Sequence, residues 1–204
     1  MYKYIVFDVD GTLIDTELAV LQSLKETLKV VLHKDFDISE LNFALGITGY
    51  KALQQLNVEN IEKTLVLWND KMRSYKNLVR VFDGIEKLLS KLSNKYKLGI
   101  VTSKTKEEFE KEFSYFGLDS YFRIVVCADD TNEHKPSPEP LLKFMELANI
   151  DSNNLVYIGD SVYDMNCAES AKVDFIFAKW GNKRDKLNSI YSVETPNELE
   201  RYLI

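Results

Sequence analysis

The sequence predicts an α/β fold: a doubly wound parallel sheet with an inserted all-helical cap domain. Three observations predict it. Short apolar runs rich in Val and Ile alternate with amphipathic segments, the pattern of strands covered on both faces and joined by helices. The alternation fails between Asp15 and about Arg80, where two apolar stripes of helical period stand without a strand. Carboxylates, hydroxyls and a lysine follow the apolar runs, at the strand ends where an open parallel sheet binds its ligands.

The first strand is expected at residues 4–7, ending in Asp8-Val9-Asp10-Gly11-Thr12. In the insertion, Leu18, Leu21, Leu24, Leu28 and Leu32 form one stripe, and Ile61, Leu65, Trp68, Met72 and Tyr75 another. Two such helices can bury each other. The expected division is a core of residues 1–14 and 81–204 and a helical cap of residues 15–80. Ile85, Leu88, Leu89 and Leu92 then share a helix face, and residues 98–101 read as the second strand, followed by Thr102-Ser103. Phe109, Phe113 and Phe116 are expected in the core, and the charged residues from Lys104 to Glu112 on a solvated helix face. Residues 124–126 read as the third strand, followed by the loop Glu133-His134-Lys135-Pro136. A helix to Ala148 is expected to be capped by Ser137, with Pro138 at its first position. Residues 155–158 form the fourth expected strand, ending in Gly159-Asp160, and residues 175–177 the fifth.

Composition narrows the function. The net charge of −6 over 204 residues argues against non-specific binding to nucleic acid or an anionic membrane. It leaves an anionic substrate open, because one local cation outweighs the global balance. Two cysteines and two histidines are too few for a disulfide framework or a zinc cluster; Cys127 and Cys167 read as buried thiols, and His33 and His134 as structural. No secretory signal is visible and no apolar run reaches the roughly 20 residues of a membrane span, so a cytoplasmic protein is expected.

Asp8 and Asp10 would point to the same side if the strand continued, and two like charges so close repel unless a cation lies between them or one is protonated. Asp160 adds a third carboxylate. Oxygen donors of this kind suit Mg²⁺. A metal, Lys135 and the Thr102 hydroxyl together make a phosphate-binding environment. One aspartate can then attack phosphorus and its neighbour carry the proton. Taken singly, each feature is also an ordinary turn, cap or surface residue; their joint occurrence, in order, at strand ends carries the reading.

These residues resemble a known family. Phe7-Asp8-Val9-Asp10-Gly11-Thr12-Leu13 is similar to the first motif of the haloacid dehalogenase superfamily, Val101-Thr102-Ser103 to the second, Lys135-Pro136 to the third, and Gly159-Asp160-Ser161 through Asp164 to the fourth. The helical insertion resembles the C1-type cap of the phosphoglycolate-phosphatase-like and β-phosphoglucomutase-like subgroup. The resemblance implies a Rossmann-like core with Asp8 as nucleophile and Asp10 as general acid/base. Asp8, Asp160 and the Asp10 backbone carbonyl would hold Mg²⁺, with Asp164 orienting the metal shell or Lys135. Gly11, Thr12, Thr102, Ser103 and Lys135 are the implied phosphate-binding residues. Substrate choice would fall to the cap loop Leu45-Gly46-Ile47-Thr48-Gly49; related mutases tend to carry an arginine near its end, where this chain has Gly49.

The expected function is a Mg²⁺-dependent phosphatase acting on a small phosphorylated metabolite through an aspartyl-phosphate. The alternatives are a sugar-phosphate mutase and a non-catalytic phospho-binding protein. A phospho-receiver would place its acceptor aspartate after the third strand and its lysine after the fifth, whereas here Lys135 follows the third and Asp160 the fourth; a serine esterase would need a histidine after Ser161, and none occurs there.

Overall fold

The structure is a computed structural model that describes residues 2–182, 187 and 189–203. Its strands are β1 (Tyr4–Phe7), β2 (Ile14–Asp15), β3 (Arg80–Val81), β4 (Lys97–Val101), β5 (Phe122–Val126), β6 (Leu155–Gly159), β7 (Asp174–Ala178) and β8 (Tyr191–Val193). Its α-helices are α1 (Glu17–Val31), α2 (Gly49–Gln55), α3 (Ile61–Ser74), α4 (Ile85–Leu92), α5 (Lys106–Glu112), α6 (Glu139–Ala148), α7 (Val162–Ser170) and α8 (Glu200–Leu203). Six strands form one sheet in the order β5-β4-β1-β6-β7-β8, and every adjacent pair is parallel. Among the described residues, no helix is long and apolar enough to cross a membrane.

Period-two geometry divides the side chains of β1 between two cores. Ile5 and Phe7 enter one with Ile85, Leu88, Leu89 and Leu92 of α4. Tyr4 and Val6 enter the other with Leu141 and Phe144 of α6 and Cys167 of α7. Both sheet faces are covered, so the strands are apolar on both sides, as the continuous Val and Ile runs require. Gly99 lets α6 approach β4: a Cβ there would stand 2.2 Å from a ring carbon of Phe144.

The chain leaves the sheet after β1 and returns before α4. The exit and the return pair as an antiparallel ribbon, Ile14 opposite Val81 and Asp15 opposite Arg80. Between them, α1, α2 and α3 share a core of their own. Leu21, Leu24 and Leu28 are buried there, each contributing about 1.5–3 kcal/mol relative to exposure. Trp68 of α3 packs in the same core and donates its indole N–H to Ser23 Oγ at 2.9 Å.

Several details differ from the sequence expectation. The ribbon strands are two residues each, too short to give a periodic signal, and β8 is an edge strand of three residues with only Val193 buried. Leu18 is exposed, so the first cap stripe begins at Leu21. The first residue of α6 is Glu139, and Pro138 stands at its cap position. Ser137 Oγ still accepts the Glu139 N–H at 3.3 Å.

Candidate active site

The site lies at the carboxyl edge of the sheet around β1. Asp8 follows β1, Thr102 follows β4 and Asp160 follows β6. Because β4 and β6 flank β1, the parallel topology makes neighbours of residues far apart in sequence. Asp8 is buried, and its Oδ1 accepts a hydrogen bond from Lys135 Nζ at 2.8 Å. Its Oδ2 is buried without a hydrogen-bond partner. Burial pushes the Asp8 carboxyl up to about 7; Lys135 opposes the rise, and Asp164 and Asp10 add to it.

Lys135 is 1% exposed. Besides Asp8, its Nζ donates to Asp164 Oδ1 at 2.6 Å and to the Tyr157 hydroxyl at 3.2 Å. Burial works against its charge, but the Asp164 and Asp8 carboxylates outweigh it and hold the lysine above its ordinary range. Asp164 is fixed in turn by Ser161. Its Oδ2 accepts the Ser161 N–H at 3.0 Å and the Ser161 hydroxyl, a capping box that starts α7. Tyr157 lies within β6, with its hydroxyl 2.9 Å from the Val101 carbonyl and 2.8 Å from Asp164 Oδ1. Sequence reading passes over it, since a tyrosine inside a strand reads as core.

Asp8, Asp160 and Asp164 each offer a carboxylate oxygen within 4.8 Å of the others. Burial raises the Asp160 carboxyl well above the ordinary range, and Asp164 and Asp8 raise it further. Buried carboxylates that repel each other, one with an orphaned oxygen, fit a metal ion, and an all-oxygen donor set suits a hard cation. Gly11 is required twice over. Its φ is +77°, and a Cβ there would come within 2.2 Å of Asp160 Oδ2.

The Asp10 carboxylate stands outside this cluster. Its Oδ1 lies 3.1 Å from Lys104 Nζ, without the alignment of a hydrogen bond. Lys104 also bonds Glu112. This corrects the expectation at Lys104, while Lys106, Glu107, Glu110 and Lys111 are exposed as a solvated face requires. Lys104 is buried, and although burial acts against its charge, Asp10 and Glu112 hold it above the ordinary lysine range. Its place directly after Thr102-Ser103, on the turn from β4 into α5, is the signal that could have marked it.

The implied phosphate ligands are differently placed. Thr12 is fully buried, and its hydroxyl donates to Asp160 Oδ1 at 3.4 Å instead of facing the cavity. Thr102 Oγ1 accepts the Lys104 N–H at 3.2 Å. Ser103 Oγ donates to the Gly46 carbonyl at 3.0 Å, tying the cap loop to the core. A cavity of about 100 Å³ lies between Asp8, Asp10, Asp160 and Ser103 on one side and Leu45, Gly46, Ile47 and Gly49 on the other.

Residues 5–178 match the family model described as haloacid dehalogenase-like hydrolase. The protein named "Putative pyrophosphatase PpaX" of Caldanaerobacter subterraneus subsp. tengcongensis is 31% identical over 178 residues, covering 86% of this chain and 81% of its own. Pyrophosphatase PpaX of Halalkalibacterium halodurans is 28% identical over 171 residues, covering 83% and 80%. The crystal structure of a "putative phosphoglycolate phosphatase" from Lactobacillus plantarum superposes with a TM-score of 0.90 at 28% identity, covering 98% of this chain and 99% of that one. The chain belongs to the haloacid dehalogenase-like hydrolases, and it is an enzyme of their phosphatase type.

Proposed function

We propose that the chain is a Mg²⁺-dependent phosphatase that hydrolyses a small phosphomonoester through an aspartyl-phosphate on Asp8. The observation that carries this reading is the asymmetry of Asp8: Lys135 holds Oδ1, while Oδ2 is buried and unpartnered. One oxygen is oriented, and the other is left for metal and phosphorus chemistry. Asp8, Asp160 and the Asp10 carbonyl would hold the Mg²⁺, which supplies charge neutralisation for the phosphoryl oxygens when bound. Asp164 already spends both oxygens on Lys135, Tyr157 and Ser161, so its part is to position Lys135.

In the first step an Asp8 oxygen forms a bond to phosphorus as the bond to the leaving alcohol breaks, and Asp10, as general acid, gives a proton to that alcohol. In the second, Asp10 takes a proton from water as the water oxygen bonds phosphorus, and the Asp8–phosphorus bond breaks. Lys135 holds Asp8 in place throughout, and the Thr102 hydroxyl and backbone N–H groups bind phosphoryl oxygens.

Gly49 supports a phosphatase over a mutase. A Cβ there would stand 2.9 Å from a terminal methyl of Leu65 and 3.3 Å from the Trp68 ring, so the arginine expected of a mutase would have to displace both side chains. The relatives' names add inorganic pyrophosphate and 2-phosphoglycolate as candidate substrates. The test is phosphate release from a panel of phosphomonoesters with Mg²⁺ and with chelator, wild type beside Asp8→Asn. Release that needs the cation and vanishes in the variant is expected. Isomerised ester in place of free phosphate would establish the mutase instead.

A further inference from the structure

The cavity above the carboxylates has a chemistry of its own. Its cap wall is apolar, made by Val20, Ile47, Leu65, Trp68 and Met72. The Trp68 indole N–H is already given to Ser23, and Ser23 Oγ also reaches Met72 Sδ. That wall offers a leaving group contact surface and little charge.

The remaining wall is acidic. Glu17, Glu108 and Glu112 line it beside Asn69. Among the described residues, Lys104 is the one basic residue facing the cavity, and its charge is committed to Asp10 on one side and Glu112 on the other. A substrate with a second anion would need a cation or a set of donors at this end. It would meet carboxylates instead, and a like charge about 5 Å away in a partly buried site costs about 10- to 100-fold in affinity.

We infer that the leaving group of the substrate carries no negative charge: the enzyme takes the phosphomonoester of a small, partly apolar alcohol that is neutral or bears an amine. This rests on the phosphatase reading and narrows it. The cavity of about 100 Å³, against roughly 300–1,000 Å³ for drug-sized sites, sets the scale of the alcohol. The apolar wall covers its carbon skeleton, and Asn69 and the Glu108 oxygen not bound to the Thr105 N–H accept hydrogen bonds from a hydroxyl or ammonium group. Inorganic pyrophosphate and 2-phosphoglycolate both present a second anion to these glutamates and are disfavoured.

The test compares kcat/KM of the full-length enzyme with Mg²⁺ for glycerol 2-phosphate, O-phosphoethanolamine, 2-phosphoglycolate and inorganic pyrophosphate. At least one of the first two is expected to exceed both of the last two by about tenfold or more. A smaller margin, or a preference for either anionic substrate, overturns the inference and leaves the phosphatase reading standing. Turnover of none overturns both. Glu112→Gln supplies a second readout: with one of its carboxylates gone, Lys104 presents charge to the cavity. The ratio of neutral to 2-phosphoglycolate turnover is then expected to fall about tenfold. An unchanged ratio overturns the charge argument.

Discussion

At the scale of single residues, the site is a chain of fixations. Ser161 fixes Asp164, Asp164 fixes Lys135, and Lys135 fixes one oxygen of Asp8. The lysine is enclosed by its partners, so its removal leaves two buried carboxylates facing each other. Breaking a buried pair in this way costs about 3–5 kcal/mol, and losing a charge-stabilising group about 10²–10³ in rate. Lys135→Ala is expected to show both, in urea unfolding and in kcat measured on the folded fraction. A tenfold or smaller loss of kcat would reduce Lys135 to a structural part. Asp8, Lys135, Asp160 and Asp164 are legible in the sequence because each follows an apolar run at or near a strand end. Lys104 is not, because a lysine opening a charged helix reads as solvated unless one knows that the turn before α5 borders the cavity. Nor does the sequence show that the Thr12 hydroxyl turns to Asp160, since that depends on how closely Gly11 lets the loop approach β6.

At the scale of elements, the cap loop is fastened to the core at a few points. Ser103 Oγ reaches the Gly46 carbonyl, and the Tyr163 hydroxyl reaches the Phe43 carbonyl at 3.3 Å. Gly46 makes this approach possible. Its φ is +86°, and a Cβ there would come within 2.7 Å of Ser161 Oγ. Gly46→Ala is expected to cost about 1 kcal/mol or more of stability from the backbone alone. It should raise KM more than it lowers kcat, because the displaced loop borders the cavity while Asp8 and Lys135 stay in place. Steady-state kinetics check this; a variant with unchanged KM would separate the loop from substrate binding. The five longer strands were readable from their apolar runs, whereas β2, β3 and β8 were not. Elements of two or three residues exist by pairing with a neighbour and carry no local pattern of their own.

At the scale of the whole molecule, the buried carboxylates couple stability to pH and to cations. The Asp8 carboxyl is raised to about 7, chiefly by burial, and Asp160 is raised as well. Between the unfolded value near 4 and the Asp8 value near 7, the native state therefore binds more protons than the unfolded chain. The stability Asp8 contributes is complete below about pH 4 and is lost as pH rises through about 7, and Asp160 acts in the same direction. Lys135, raised above its ordinary range, contributes stability that is lost only in the alkaline range and leaves this window unaffected. A divalent cation replaces the missing protons and stabilises the native state by mass action. Its effect on Tm is expected to be larger at pH 7.5 than at pH 5, by several degrees, since each 1 kcal/mol moves Tm by about 2–4 °C in a chain of this size. Thermal melts with Mg²⁺ and with chelator at both pH values check this, and equal shifts at the two would remove these carboxylates from the cation's binding site. The ribbon through which the chain leaves and re-enters the core bears on how such enzymes diversify. Ile14 and Val81 are paired neighbours, so a whole cap could be exchanged by recombination at two points only about 5 Å apart. Selectivity could then be inherited separately from catalysis, with the carboxylates of the sheet left as they are.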